Sequence, residues 1–181
     1  MANLDAAFGM NPVEKIGSGP SGKLSDYKIA ASEANAIFQG SVVMPDSGYI
    51  QVGAAGSAPF TGVFWGCKYD DPTTNKPTFK NQYATTTAVA DAFVYDDPYQ
   101  VFEIQADGAY AQTAIQQAAD ITAESGSTTT GISTQELDSS DIGTGANLLI
   151  IGFSGKAGRS EVGSANGVFK VLIQEHTYAN L

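Results

Sequence analysis

The chain has 181 residues, of which 43% are hydrophobic and only 15% charged; it has a net charge of −10 and one cysteine. This hydrophobic content excludes a disordered chain, and one thiol excludes an intrachain disulfide. A net negative chain without a Lys/Arg cluster is repelled by phosphate backbones and anionic bilayers, so neither nucleic acid nor membrane is an expected partner. A basic protein surface is the partner that the charge favours. Its length suits one domain, or one domain plus an arm, with a core that needs no staples. No run of about 18 apolar residues is present to span a bilayer. Met1-Ala2-Asn3-Leu4-Asp5 lacks the basic-then-apolar pattern of a secretory signal, so synthesis and folding in the cytoplasm are expected.

Residues 1–26 differ from the rest. Gly17-Ser18-Gly19-Pro20-Ser21-Gly22 defeats helix and strand alike, yet Phe8, Met10, Pro12, Val13 and Ile16 supply apolar anchors upstream. The segment is expected to be an extended arm whose anchors contact a partner protein. The plainer alternative is an arm folded back on its own domain.

From residue 27 to 181 the pattern is that of one β domain. Tyr27-Lys28-Ile29-Ala30 alternates, Ala36-Ile37-Phe38 and Val42-Val43-Met44 end at Gly40 and Pro45, and Tyr49-Ile50-Gln51-Val52 lies between glycines. The run 60–69 carries the only tryptophan, Trp65. Two copies of one tetrapeptide, Tyr69-Asp70-Asp71-Pro72 and Tyr95-Asp96-Asp97-Pro98, close strand-like runs. An aspartate before proline favours a turn by bonding amides further on, so each copy reads as a strand terminator. Val101-Phe102-Glu103-Ile104-Gln105 alternates and stops at a hairpin-type dipeptide, Asp107-Gly108. Two nearly continuous apolar runs, 148–153 and 168–173, suit strands buried on both faces. Helical pieces are expected at 111–122, where Ala114, Ile115, Ala118, Ala119 and Thr122 share a face, and at 133–137, where Ser133-Thr134-Gln135-Glu136 fits a capping box. The fold expected is mainly β: a single β-sandwich or partly open β-barrel with short helices.

The chain shows little that carries chemistry. His176 is the only histidine and no Gly-x-Ser-x-Gly elbow exists, so a surface histidine near the end is the reading here. Cys67 reads as a small buried hydrophobe. Asp70, Asp71, Asp96 and Asp97 lack EF-hand spacing for calcium. Gly17, Gly19 and Gly22 do not follow a strand and enclose Pro20, which argues for a linker rather than a dinucleotide loop. The expectation is therefore no catalytic residue, no cofactor and no metal.

The ordered series of motifs resembles a family of small capsid decoration (cement) proteins of tailed bacteriophages, of the marine-phage type. It begins with Gly9-Met10-Asn11-Pro12-Val13 and Ile37-Phe38-Gln39-Gly40-Ser41-Val42-Val43. It continues through Pro59-Phe60-Thr61-Gly62-Val63-Phe64-Trp65-Gly66-Cys67-Lys68-Tyr69 and Asn75-Lys76-Pro77-Thr78-Phe79. It closes with Asp96-Asp97-Pro98, Phe102-Glu103-Ile104-Gln105-Ala106-Asp107-Gly108, Gly126-Ser127-Thr128-Thr129-Thr130-Gly131-Ile132-Ser133 and Val171-Leu172-Ile173-Gln174-Glu175-His176. Ser41 stands where an acid is expected, and Gln174 where asparagine is commoner. The resemblance implies a structural virion protein, not an enzyme. It would bind the outer surface of the shell of major capsid protein, stabilise the head and allow contacts with neighbouring copies of itself. Eight tyrosines and Trp65 motivate the alternative of a tail-associated, carbohydrate-binding or carbohydrate-active β protein.

Overall fold

The computed structural model describes residues 3–17, 22–84, 88–145, 147–158 and 161–179. Linker residues 18–21 lie outside the described residues. The fold is mainly β, as expected: a five-stranded and a six-stranded antiparallel sheet with a small two-stranded one, none of them closed.

In chain order the strands are β1 (Asn11–Lys15), β2 (Ser25–Ile29), β3 (Ile37–Phe38), β4 (Val42–Asp46), β5 (Tyr49–Val52), β6 (Gly62–Asp70) and β7 (Pro77–Lys80). They continue with β8 (Gln82–Tyr83), β9 (Ala90–Tyr95), β10 (Gln100–Gln105), β11 (Ala118–Ala119), β12 (Leu148–Phe153) and β13 (Val168–Ile173). The first sheet runs β1-β10-β13-β12-β11 and the second β2-β9-β6-β4-β5, with β7 also on β6; β3 pairs with β8.

Adjacent apolar residues divide between two cores. Val42 and Val63 join Phe102, Ile104, Ile150 and Val171 of the first sheet in one cluster, whereas Val43 and Phe64 face the other way, into a second cluster with Ile37, Ile50, Tyr83 and Val94. Strands β4 and β6 are thus apolar on both faces where they cross between the cores, which is why Val42-Val43 and Val63-Phe64 do not alternate. Each of these buried side chains contributes on the order of 1.5–3 kcal/mol. The close approach of β6 to β9 requires a glycine at 62. Its φ is +155°, and a Cβ there would lie 2.1 Å from the Tyr95 carbonyl oxygen.

Both tetrapeptides end strands as read, β6 at Asp70 and β9 at Tyr95. The two late apolar runs are β12 and β13, with the bounds read from sequence, but β12 is not buried on both faces: Leu149 and residues 151–153 are only half-buried, because its outward face is incompletely covered. Strand β10, read as alternating, is buried along its whole length, because its outward polar residues are also covered: Glu103 by Ser154 and Lys156, and Gln105 by Leu4, Ala6 and Asn166.

Other expectations fail. No α-helix occurs among the described residues. Residues 112–114 form one 3-10 turn, and 118–119 are strand β11 at the sheet edge. The amide of Gln116 donates to the Ile150 carbonyl at 2.8 Å, and that of Ile150 to Gln117 at 3.0 Å, so β12 draws this segment into extended pairing. The 133–137 segment is also extended: the Ser133 hydroxyl accepts from the Gln135 amide at 3.1 Å, two residues on, instead of capping a helix. Asp107-Gly108 turns no hairpin; the chain proceeds from it to the 3-10 turn.

Residues 11–15 of the expected arm are the edge strand β1, paired antiparallel with β10. Met10 is 1% exposed and belongs to the first core cluster. This part of the N-terminal segment is folded back on its own domain. Met10→Ala should lower the unfolding free energy by about 2–5 kcal/mol in urea titration. Ile16→Ala, at a 46% exposed position, should stay within about 0.5 kcal/mol of the parent. Equal effects would mean that Met10 is not a core residue.

Candidate functional site

Residues 38–41 form a joint between distant parts of the chain. The Met10 amide donates to the Gly40 carbonyl at 2.9 Å and the Gly40 amide to Phe64 at 2.9 Å. Gln39 is held on both sides: its amide donates to Gly131 and its carbonyl accepts from Ser133, each at 2.9 Å. A Cβ on Gly9 would sit 2.6 Å from the Gly40 carbonyl oxygen, so the two backbones touch with no room for a side chain. A second joint links Phe60, whose amide donates to Glu175 and whose carbonyl accepts from Thr177, both at 2.8 Å. Segments quoted for the resemblance, 9–13 with 37–43 and 126–133, and 59–69 with 171–176, therefore meet in space as framework.

The five candidate contact residues separate. Met10 is core; Phe8 and Pro12 are half-buried; Val13 and Ile16 are exposed at 38% and 46%. Val13 projects because β1 carries a bulge between Pro12 and Glu14. Sequence reading missed two neighbours. Tyr99, 61% exposed, has its carbonyl bonded to the Ile16 amide at 3.0 Å. Ile132, 39% exposed, lines a small groove of about 110 Å³ with Phe8, Asn11 and Gln39. Tyr99 directly follows an Asp-Asp-Pro turn, a signal that could have placed it on the surface.

The two tetrapeptides perform different tasks. Asp71 accepts from the Thr73 and Thr74 amides at 2.8 and 2.9 Å, and these amides, Thr74 first, hold its carboxyl below the usual range. Asp97 likewise accepts from the Tyr99 amide at 2.9 Å and also pairs with Lys15 of β1. Burial pushes the Asp97 carboxyl upward, but Lys15 and that amide outweigh it, and the net shift is down. Asp96 accepts from the Ser25 and Tyr27 hydroxyls at 2.9 and 2.8 Å. The second copy thus fastens β1 and β2 to the β9–β10 turn. Among the described residues no group of three or more acidic, histidine or cysteine side chains is placed to hold a metal ion.

His176, read as a surface residue, is 2% exposed. The parallel bridge to Phe60 draws it under the chain end. Its Nδ1 accepts from the Tyr178 amide at 3.1 Å. Burial lowers its pKa, against the opposing charges of Asp96 and Asp97 and the Thr61 backbone. Cys67 lies in the second core cluster, donates to the Gln82 carbonyl at 3.4 Å and has its thiol pushed up to about 12 by burial. A thiol so placed stays protonated and unreactive.

A cleft of about 620 Å³ is lined by Phe38, Met44, Gln51, Val52 and Glu124 among others. Glu124 was not singled out from sequence. Its carboxylate accepts from the Ser41 and Ser133 hydroxyls and from the Gly126 and Thr134 amides. It places an acid beside Ser41.

Compared with protein-family models, curated proteins and solved structures, the chain matches none.

His176 makes stability pH-dependent. Its folded pKa lies below the ordinary 6.5, so the unfolded chain binds more protons as pH falls past that value. Its stabilising contribution is complete above pH 6.5 and is lost as pH falls toward the folded pKa. The loss cannot exceed about 1.4 kcal/mol per pH unit. His176→Asn keeps an acceptor near the Nδ1 position but does not titrate. Unfolding free energies measured between pH 7.5 and 5 should fall less steeply for the variant; parallel curves would reject this assignment.

Proposed function

We propose that the chain is a structural virion protein that binds the outer surface of the major capsid protein shell and stabilises a phage head. The observation that carries this reading is the ordered series of decoration-protein motifs, which spans most of the chain and whose pieces meet at two backbone joints. Those residues act as framework, and a scaffold that presents surfaces is what a cement protein requires. The acidic balance supports an exterior position: a chain of net charge −10 suits basic protein surface better than a compartment filled with DNA. On this reading the chain is made in the host cytoplasm, contacts capsid subunits and neighbouring copies, and takes no cofactor.

The contact surface proposed is the exposed part of the N-terminal segment, Val13 and Ile16, with Tyr99 beside it. Val13 lies in β1 on β10, and the Ile16–Tyr99 backbone hydrogen bond continues that pairing, so their display needs no further ordering.

A second reading, glycan binding by a tail module, is favoured by one observation. Phe79, 61% exposed, lies over Gly66 and beside Phe93, with ring centroids 5.9 Å apart, and offers an apolar platform. Trp65 does not contribute an open face; it is half-buried against Tyr95 with rings 5.5 Å apart and edge-on.

Quantitative mass spectrometry of purified particles separates the two readings. Copy number comparable with the shell protein is expected, and a few copies per particle would favour the tail module. Val13→Asp with Ile16→Asp should weaken binding to undecorated heads by at least about tenfold without changing the melting temperature. Unchanged affinity would remove this surface from the contact.

A further inference from the structure

The segment after β13 is held in two different ways. Up to Thr177 it is pinned to Phe60, whose amide donates to the Glu175 carbonyl and whose carbonyl accepts from the Thr177 amide, both at 2.8 Å. Beyond Thr177 the holds centre on His176. The Tyr178 amide donates to His176 Nδ1 and the Ala179 amide to the His176 carbonyl, each at 3.1 Å. The His176 and Tyr178 rings also approach, with centroids 5.7 Å apart. The Tyr178 hydroxyl lies 2.8 Å from the Tyr27 hydroxyl, which donates to Asp96 at 2.8 Å. Since the one proton of Tyr27 goes to Asp96, Tyr178 is the donor to Tyr27. Asp96 also accepts from Ser25 at 2.9 Å. Residues 178–179 are thus fastened through Tyr178 to β2 and to the β9–β10 turn.

This geometry fixes the protonation state of the ring. Nδ1 accepts from an amide only through its lone pair, so His176 is the neutral imidazole with its proton on Nε2. A second proton would go to Nδ1 and set N–H against N–H. A charged ring that is 2% exposed also needs an opposite charge beside it. The charged groups that act on it are Asp96 and then Asp97, both of the β9–β10 turn, and both favour the protonated form, as does the Thr61 backbone. Lys15 of β1 is paired with Asp97, and Tyr27 of β2 is bonded to Asp96. The ring therefore has two alternative sets of partners: the Tyr178 amide when neutral, and the carboxylates when charged.

We propose that His176 is a proton-operated latch: its protonation exchanges the Tyr178 amide for the neighbouring carboxylates and releases residues 178–179, while the rest of the fold stays closed. The hinge falls between Thr177 and Tyr178. Thr177 keeps its own holds, since its amide and its hydroxyl both donate to the Phe60 carbonyl, at 2.8 and 2.9 Å. Tyr178 is 38% exposed, so its departure uncovers little apolar surface. The event is transmitted to β2: Tyr178 withdraws its hydroxyl from Tyr27, and a ring drawn to Asp96 competes with the Tyr27 and Ser25 hydroxyls for that carboxylate. Burial disfavours the charged ring, so the latch is closed above the ordinary 6.5 and opens as pH falls through the lowered folded pKa. This local release is distinct from the loss of global stability and does not depend on the capsid reading.

Amide hydrogen exchange of the full chain, read by NMR across pH 7.5 to 5 and expressed as protection factors, tests the latch. The Tyr178 and Ala179 amides should lose at least about tenfold in protection at the acid end, while the amides of β12 and β13 keep theirs. His176→Asn does not titrate, so its Tyr178 protection should be equal at both ends of the range, whether or not asparagine holds the latch. Asp96→Asn keeps hydrogen-bonding groups for Ser25 and Tyr27 but removes the charge, and should move the midpoint of the Tyr178 response to lower pH. Tyr178→Phe keeps the amide hold without the hydroxyl: its own amide should still open with acid, while the accompanying shift of the Tyr27 ring resonances disappears. Tyr178 protection that does not change with pH in the parent chain would overturn the proposal. So would an unmoved midpoint in Asp96→Asn, since the carboxylate would then not be the alternative partner. Loss of protection in β12 and β13 together with Tyr178 would overturn it in favour of global acid unfolding.

Discussion

The fold depends on the backbone joint at residues 38–42. Within these few residues the chain accepts or donates hydrogen bonds to positions 10, 53, 64, 131 and 133. Side chains complete it: the Ser41 hydroxyl accepts from the Phe38 amide at 2.9 Å and donates to Glu124, and Gln135 accepts from the Val42 amide at 2.8 Å. Buried backbone groups must be paired, and a loop crossing between two sheets has no ladder to pair them. Here the partners come from the N-terminal segment and from the polar stretch 124–135. That stretch, rich in Ser, Thr and Gly, looks like a solvated loop. Residues 125 and 128–130 are indeed exposed, but Ser133 and Gln135 are fully buried, where they line the crossing.

This joint also explains why the N-terminal segment is not free. Gly9 and Gly40 approach too closely for any side chain, and Met10 then enters the first core. Two residues later the segment becomes β1, an edge strand carrying Pro12 and a bulge at Val13. Both features leave a poor template for a further strand, so this edge is protected against uncontrolled pairing. A contact made here would rest on side chains rather than on strand addition.

Strands were legible where local pattern and tertiary setting agreed. The runs that became β12 and β13 are apolar because they pair in the middle of a sheet, and the Asp-Asp-Pro turns are legible because their hydrogen bonds are local. The helices failed because the small residues of 111–122 fit a helical face and a sheet edge equally, and pairing with β12, over 30 residues away, decided for the sheet. The capping-box pattern at 133–136 failed similarly: its serine and glutamine were needed by the joint. The site was less legible than the fold. That Met10 turns inward while Val13 and Ile16 turn outward depends on a bulge, and a bulge shifts register without a composition signal. His176 is buried because a non-local bridge to Phe60 pulls it in.

Preorganisation connects the fold with the proposed role. An arm that orders only on its partner loses about 1–2 kcal/mol of backbone entropy for every residue fixed. Over the five residues of β1 alone that would offset the burial of several apolar side chains. In this chain that ordering is completed during folding, by pairing with β10 and by burial of Met10. Lys15–Asp97 and Lys170–Glu14 then tie the strand to the β9–β10 turn and to β13. Being partly exposed, these pairs add little stability individually, but they fix the direction in which Val13 and Ile16 face. A rigid apolar edge and a net charge of −10 provide two distinct kinds of attraction. Charge attraction is long-ranged and screened by salt; apolar burial is short-ranged and much less affected by it. A scaffold that offers both can be drawn to a basic shell by the first and retained by the second, and neither requires the chain to change its fold.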